Sequence, residues 1–331
     1  MTMMAEKQGS LPFHKKTVVI TGASSGGGRA APLAFRARGA TVIVAARRNE
    51  ALQELVRECT EAGGTALAVP TDVTHPDEML RLAKAAVGFS GRIDVWVNNA
   101  GVLAAGELTS TPVDVIRQVV ETNLLGYIYG AHAVLPYFKR QGSGILINNI
   151  SVGAWFPTPY ASAYTASKYG LKGFTQSLRG ELTHWPGIRV CDLFSGFLDT
   201  PGIHHAANYT GRALAPAPPV YDPRRVALAM VSLAQSPRNR MTTDLLAPAL
   251  RMAHQLFPAI SRRVTAGVIE TYLKKADPET PNSGNVLSPL RFGTSVDGGW
   301  TSRFRRKTAR AGAVLALFLG TGLLLAAASH R

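Results

Sequence analysis

TVVITGASSGGG, residues 17–28, is the stretch on which the reading of this chain turns. Residues 17–24 are rich in β-branched side chains and read as a strand. Thr21-Gly22-Ala23-Ser24-Ser25-Gly26-Gly27-Gly28 is a glycine-rich turn that leads into a helix. Glycines at 22, 26 and 28 permit a tight turn and the close approach of a phosphate. The helix N-terminus offers that phosphate free N–H groups and the positive end of its dipole. The spacing is G-x-x-x-G-x-G, not the G-x-G-x-x-G of the common dinucleotide fingerprint. Taken alone, such a turn can equally be structural. Pro32 falls inside the expected helix and should kink it.

Working outward, TVIVAAR (41–47), TALAVPTD (65–72), IDVWVNNAG (93–101), GILINNIS (144–151) and IRVCDLFSG (188–196) read as further strands. Helical stretches, such as 49–62 and 76–88, lie between them. Val- and Ile-rich strands alternating with helices imply βαβ units. The fold class expected is α/β, a doubly wound parallel sheet with helices on both faces. On such sheets ligands bind beyond the C-terminal ends of the strands. Past about residue 201 the pattern weakens. Residues 213–223 are Pro-rich and read as a loop, 224–275 as helical, and 276–300 as a linker. Within the helical stretch, 244–264 reads as a substrate lid, a membrane-surface helix or an ordinary amphipathic helix. There are no internal repeats.

The 331 residues suit one large domain or two small ones. With 46% apolar and 17% charged residues, the chain is not of disordered type. Cys59 and Cys191 have no metal-ligand spacing and read as small buried apolar residues in a reducing compartment. The net charge of +15 suggests either nucleic acid or an anionic membrane surface. No basic patch interleaved with aromatics supports nucleic acid. Arg303, Arg305, Arg306, Lys307 and Arg310 instead precede an uncharged apolar run, 311–328. As a helix that run spans about 27 Å, enough to cross a bilayer. The expectation is a single-pass C-terminal transmembrane helix with the main body on the cytoplasmic side. The N-terminus lacks the apolar segment of a signal peptide. The expected organisation is a tail (1–12), a cofactor-binding catalytic domain (13–255), a helical extension and basic linker (256–310) and the membrane helix (311–328).

The second strand ends in Ala45-Ala46-Arg47-Arg48. A site for NAD wants a carboxylate here for the ribose 2′-hydroxyl, whereas a cation suits the 2′-phosphate of NADP. Arg47 therefore points to NADP(H). Tyr164 and Lys168, four residues apart on an expected helix, share a face.

With these residues in view, the chain resembles the short-chain dehydrogenases/reductases over roughly residues 13–200. TGASSGGG resembles the family's TGxxxGxG turn, Thr71-Asp72-Val73 the end of its third strand, and Asn98-Asn99-Ala100-Gly101 its NNAG motif. Asn123 in ETNLLG matches its active-site asparagine, and Ser151 lies 13 residues before Tyr164 as the family's serine does. Tyr164-Thr165-Ala166-Ser167-Lys168 matches YxxxK. The resemblance implies a Rossmann-type fold and a catalytic set of Asn123, Ser151, Tyr164 and Lys168. It implies an NADP(H) site built from Thr21, Gly22, Ser24, Ser25, Gly26, Gly28, Arg47, Asp72, Val73, Asn99, Ala100, Gly101, Tyr164, Lys168 and Thr200. A homodimer through the helix carrying YxxxK is implied as well. A tyrosine with an ordinary pKa of about 10 is a poor acid or base at neutrality. The Lys168 ammonium should lower it, so that Tyr164 serves as acid in carbonyl reduction or base in alcohol oxidation. Lys168 would also bond the nicotinamide ribose. Ser151 would bond the substrate oxygen, and Asn123 would hold a water leading from Lys168 to solvent. The hydride chemistry is the nicotinamide's.

Three positions depart from the family pattern. Gly27 replaces a bulky apolar residue, which should loosen the turn. Ser195 in Phe194-Ser195-Gly196 replaces a proline, which should free the loop over the nicotinamide. Val296-Asp297-Gly298-Gly299 resembles a motif that follows the family's last strand, but it comes late. The last strand is expected near 240–245, with the late match accidental. His204 and His205 have no further ligands at metal spacing, so no metal site is expected. Trp155 and Phe156 either line a substrate pocket or pack. The expected partner is a lipophilic ketone, aldehyde or alcohol; the alternative is an NADP(H)-binding regulatory or scaffold protein without turnover.

Overall fold

Residues 11–244 and 247–301 are described by the structure, a computed structural model. Seven strands form one parallel sheet. They are β1 (Thr17–Thr21), β2 (Thr41–Ala46), β3 (Thr65–Pro70), β4 (Val95–Asn98), β5 (Gly144–Asn149), β6 (Ile188–Phe194) and β7 (Arg240–Thr242). Their order is β3-β2-β1-β4-β5-β6-β7, and Ile20 of β1 lies between Val44 of β2 and Val97 of β4. Strand order reverses between β1 and β4, which opens a crevice at their C-terminal ends.

The period-2 alternation of the strands sorts their side chains to two cores. On one face, Val18, Ile20, Val42 and Val44 meet Phe35 of α1 (Gly26–Arg36), Leu52 and Leu55 of α2 (Asn49–Glu61) and Val226 and Met230 of α7 (Arg224–Gln235). On the other, Val19, Ile43 and Trp96 meet Met79 and Leu82 of α3 (Pro76–Ser90), Phe138 of α5 (Gly126–Gln141) and Leu178 of α6 (Ser162–Glu181). Burying each such Val or Leu fully contributes about 1.5–3 kcal/mol. Cys59 and Cys191 are free and buried, and burial pushes both thiols up to about 11. Between α4 (Val113–Val120) and α5 the helix widens into a π segment, Glu121–Leu125.

Several expectations need correction. Helix α1 runs from Gly26 to Arg36 with Pro32 in its interior. Residues 26–32 of this helix are all buried, so packing overrides the local cost of the missing N–H. The last strand does lie at Arg240–Thr242. The stretch 276–300 is not a free linker: up to Gly298 it belongs to the same compact unit as the sheet. Its carbonyls are bonded to Arg47 and Arg48. Helices α8 (Ala247–Leu256) and α9 (Pro258–Lys275) carry exposed Leu256, Phe257, Ile260 and Val264, and α9 buries no residue. The 1–10 segment and everything past 301, including the basic cluster and the expected membrane helix at 311–328, lie outside the described residues. Among the described residues no helix is long and apolar enough to cross a membrane.

Candidate active site

The glycine turn is tied down by its neighbours on β4. Gly22 has φ +66°, and a Cβ there would lie 2.6 Å from Ala100 Cα. A Cβ on Gly28 would lie 2.1 Å from the Gly22 carbonyl oxygen. Asn99 Nδ2 donates to the carbonyls of Thr21 (3.0 Å) and Gly22 (3.3 Å), while its Oδ1 accepts from Asn149 Nδ2 (2.9 Å). The Thr21 hydroxyl accepts from the backbone N–H groups of Asn99 (3.0 Å) and Ala100 (3.2 Å). Gly27 does not leave the turn loose, because Val226 Cγ1 stands 3.4 Å from where its Cβ would be.

Beyond the strand ends lies a cleft of about 240 Å³. Gly22, Ser24, Ser25, Gly26, Gly28, Arg47, Asp72, Val73, Asn99, Ala100, Gly101 and Thr200, all expected to hold the cofactor, line it. Thr21, Tyr164 and Lys168 do not; Thr21 sits behind the turn as a fastener of β1 to β4. The cleft also takes in Arg48, His205, Asn285, Pro289 and Leu290. Arg48 could have been foreseen from its place beside Arg47. The residues beyond 280 carried no local signal.

The donor set suits a dinucleotide with an extra phosphate. The Arg47 guanidinium donates to the carbonyls of Asn285 (2.5 Å) and Val286 (3.4 Å). It has more N–H donors than those two bonds use. Burial lowers its pKa, Asp72 opposes that, and Ala46 brings no carboxylate to compete.

Tyr164 and Lys168 lie on one face of α6, as their spacing requires. The Ser151 hydroxyl accepts from the Gly153 N–H (3.1 Å) and lies close enough to Tyr164 to draw its pKa down. Lys168 Nζ stands 5.7 Å from the Tyr164 ring centre and 5.1 Å from that of Tyr127. Electrostatics here differ from expectation. Burial holds the Tyr164 hydroxyl above its ordinary range, and only Ser151 pulls it back. Burial also lowers Lys168 to about 7, so the lysine is a weaker cation than foreseen. The Asn123 side chain is fully buried and tied to its neighbours. Its Oδ1 accepts from the Val102 N–H (2.8 Å), and its Nδ2 donates to the Val102 carbonyl (2.9 Å) and the Ser167 hydroxyl (3.3 Å).

Comparison with known proteins decides the family. The family model described as short chain dehydrogenase matches residues 16–208. The chain belongs to the short-chain dehydrogenase family. It is 32% identical over 325 residues to the uncharacterized oxidoreductase YxnA of Bacillus subtilis (strain 168), spanning 96% of this chain and 91% of that one. A dehydrogenase/reductase SDR family protein 7-like from Anopheles gambiae is 31% identical over 216 residues, 64% of this chain and 68% of its own. Among solved structures, a metagenomic short-chain oxidoreductase in complex with NADP is similar at TM-score 0.60 and 28% identity, over 70% of this chain and 97% of that one. An alcohol dehydrogenase from Thermococcus sibiricus complexed with 5-hydroxy-NADP matches at TM-score 0.60 and 25% identity, over 69% and 95%.

As a short-chain dehydrogenase, the chain has an unusual serine after β6. Ser195 is nonetheless held: it is buried, its hydroxyl donates to Asn149 Oδ1 (3.4 Å) and its carbonyl accepts from the Val152 N–H (3.0 Å). Trp155 is a packing residue, stacked on Phe194 at 4.0 Å between ring centres. Phe156 is half-buried and meets the His254 ring of α8 edge-on at 5.9 Å. Val102, Ala207 and Val286 form an apolar cluster against Tyr164.

Proposed function

We propose that this short-chain dehydrogenase is an NADP(H)-dependent oxidoreductase that interconverts a carbonyl and an alcohol on a lipophilic substrate. The observation that carries it is the placing of Ser151 beside Tyr164, with Lys168 on the same helix face, next to a cleft whose second-strand cation is Arg47. The NADP-bound relatives support the coenzyme. When bound, the nicotinamide would supply or accept the hydride. Every other task falls to the chain. A tyrosine held above its ordinary range by burial keeps its proton at neutrality, which suits it to donate to a carbonyl oxygen as charge develops there. Ser151, beside that hydroxyl, donates to the same oxygen. Lys168, near half-protonated at neutrality, can return the proton to Tyr164. Asn123, buried near Lys168, would hold a water that leads from the lysine to solvent.

The lipophilic class rests on the apolar cluster at Tyr164 and on the exposed apolar side chains of α8 and α9. A membrane anchor at 311–328, with the catalytic domain on the cytoplasmic side, and a homodimer belong to the same proposal. The first is supported by the uncharged apolar run and the second by family resemblance alone. A substrate screen with NADPH tests the function. Tyr164→Phe should cut turnover by about 10²–10⁴, while NADPH binding, read by nucleotide fluorescence, persists. Full activity in that variant, or turnover confined to small polar carbonyls, would refute the mechanism or the substrate class respectively.

A further inference from the structure

Residues 282–298 form a strap whose path is set by bonds to the cofactor cleft. At its start Asn282 exchanges backbone hydrogen bonds with Asn208 (2.8 and 2.9 Å), and the Asn285 N–H donates to the His205 carbonyl (2.8 Å). Gly284, at φ +51°, leaves no room for a side chain: a Cβ would lie 2.3 Å from the His205 carbonyl oxygen. Val286 is fully buried in the cluster against Tyr164. Gly293, at φ +71°, comes down on His205 again, where a Cβ would fall 2.1 Å from Nε2. The Ser295 carbonyl accepts from the Gly26 N–H of the glycine turn (2.9 Å). Asp297 closes the far end with two 2.7 Å bonds from Arg224. The late VDGG match is therefore not a strand, yet its Asp297 is a fastening point.

The two arginines after β2 divide their donors differently. Arg48 spends its terminal nitrogens on protein: the carbonyls of Leu290 (3.2 Å), Phe292 (2.7 Å) and Gly293 (3.3 Å), and Ser24 through its carbonyl (3.3 Å) and hydroxyl (3.2 Å). Arg47 gives the strap only the bonds to Asn285 and Val286 and keeps donors for the cleft. Asn285, Pro289 and Leu290 complete the lining.

We propose that this strap is the outer wall of the dinucleotide site and a determinant of its coenzyme preference. Its carbonyls hold the Arg47 guanidinium by one edge, so that the other edge faces the 2′-phosphate, and Arg48 is the clamp that pins the strap in place. Arg48 and Asp297 are positioning residues. The inference rests on the NADP reading and adds to it where the selectivity comes from. A buried Val286 and two glycine touchdowns make the strap a built wall. A cover that the coenzyme must displace would lack them.

Equilibrium fluorescence titrations with NADPH and NADH on the full chain test this, in wild type, Gly293→Ala and Asp297→Asn. Gly293→Ala forces the strap off His205 without touching Arg47. The NADPH Kd should rise about tenfold, the effect of losing one positioned charge-assisted bond, with the NADH Kd nearly unchanged. Asp297→Asn breaks an exposed pair and should move selectivity the same way by about two- to threefold. Should Gly293→Ala fail to fold, Asp297→Asn decides. A selective wild type whose variants keep their selectivity, or bind NADPH more tightly, overturns the role of the strap alone. A wild type that binds NADH as tightly as NADPH overturns the NADP reading and this inference with it.

Discussion

At Lys168 the burial that places an ammonium between two tyrosine rings also weakens its hold on a proton. Its folded value of about 7 lies below the ordinary lysine value, so between about pH 7 and 10.5 the unfolded chain binds more protons than the folded one. Stability tied to this group is therefore fully present above the unfolded value and is lost as pH falls through about 7. Lys168→Met should flatten that slope and stabilise the protein more at pH 7 than at pH 10. Urea midpoints at the two pH values read it, and parallel curves for variant and wild type would count against it. Arg47 makes a second prediction at this scale. Arg47→Asp places a carboxylate where the 2′-phosphate would sit and should move preference toward NAD by tenfold or more, about 1.4 kcal/mol. An unchanged ratio of NADP to NAD affinities would contradict it. The identities of Tyr164, Lys168, Ser151 and Arg47 were all legible in the sequence, because spacing on a helix and position after a strand are local properties. Their ionisation was not: desolvation depends on what packs around a side chain, and Tyr127, which faces Lys168, lies far back along the chain.

Among the elements, α1 and its turn show how a departure from a family pattern is absorbed. Gly27 lacks the usual bulky side chain, and Val226 of α7 occupies the neighbouring space. A Cβ at 27 would meet Val226 at ordinary contact distance, so Gly27→Ala should be tolerated and should stabilise the helix by about 0.5–1 kcal/mol. Gly28→Ala should behave oppositely. Its Cβ would meet the Gly22 carbonyl, which is backbone and cannot yield, so a loss of about 1–3 kcal/mol or more is expected, together with nucleotide binding. Chemical denaturation of the pair distinguishes them; equal effects would mean the turn is less constrained than its geometry implies. The strands of the main sheet were legible from their Val- and Ile-rich apolar runs, though each ends one to three residues before its run does. Asn99, just past β4, leaves the ladder to bond the glycine turn. The π segment at Asn123 had no sequence signature, since it reflects how α4 and α5 are seated against α6.

For the whole molecule, the open question of attachment lies in the chain beyond residue 301. A chain ending after Arg303 should leave the membrane fraction and keep NADPH binding. If it stays with the membrane, the exposed Leu256, Phe257, Ile260 and Val264 on α8 and α9 are the next surface to examine, by replacing them with polar residues. The match to the Bacillus protein runs over 96% of this chain, so the sequence similarity extends past the family core.

The sequence by itself determined the parallel sheet, the glycine turn, the Tyr164–Lys168 face and the choice of Arg47 over a carboxylate. Each is written in side-chain type at short range, where chain geometry leaves few alternatives. Tertiary structure alone decided that the supposed linker is a wall of the cleft, that Arg48 clamps it, and that the Asn123 side chain is tied to the backbone of Val102. The reason is physical. Those contacts run largely to backbone carbonyls and amides, which every residue carries, so their partners nearly 240 residues away in the case of Arg47 leave no mark in the pattern of side chains.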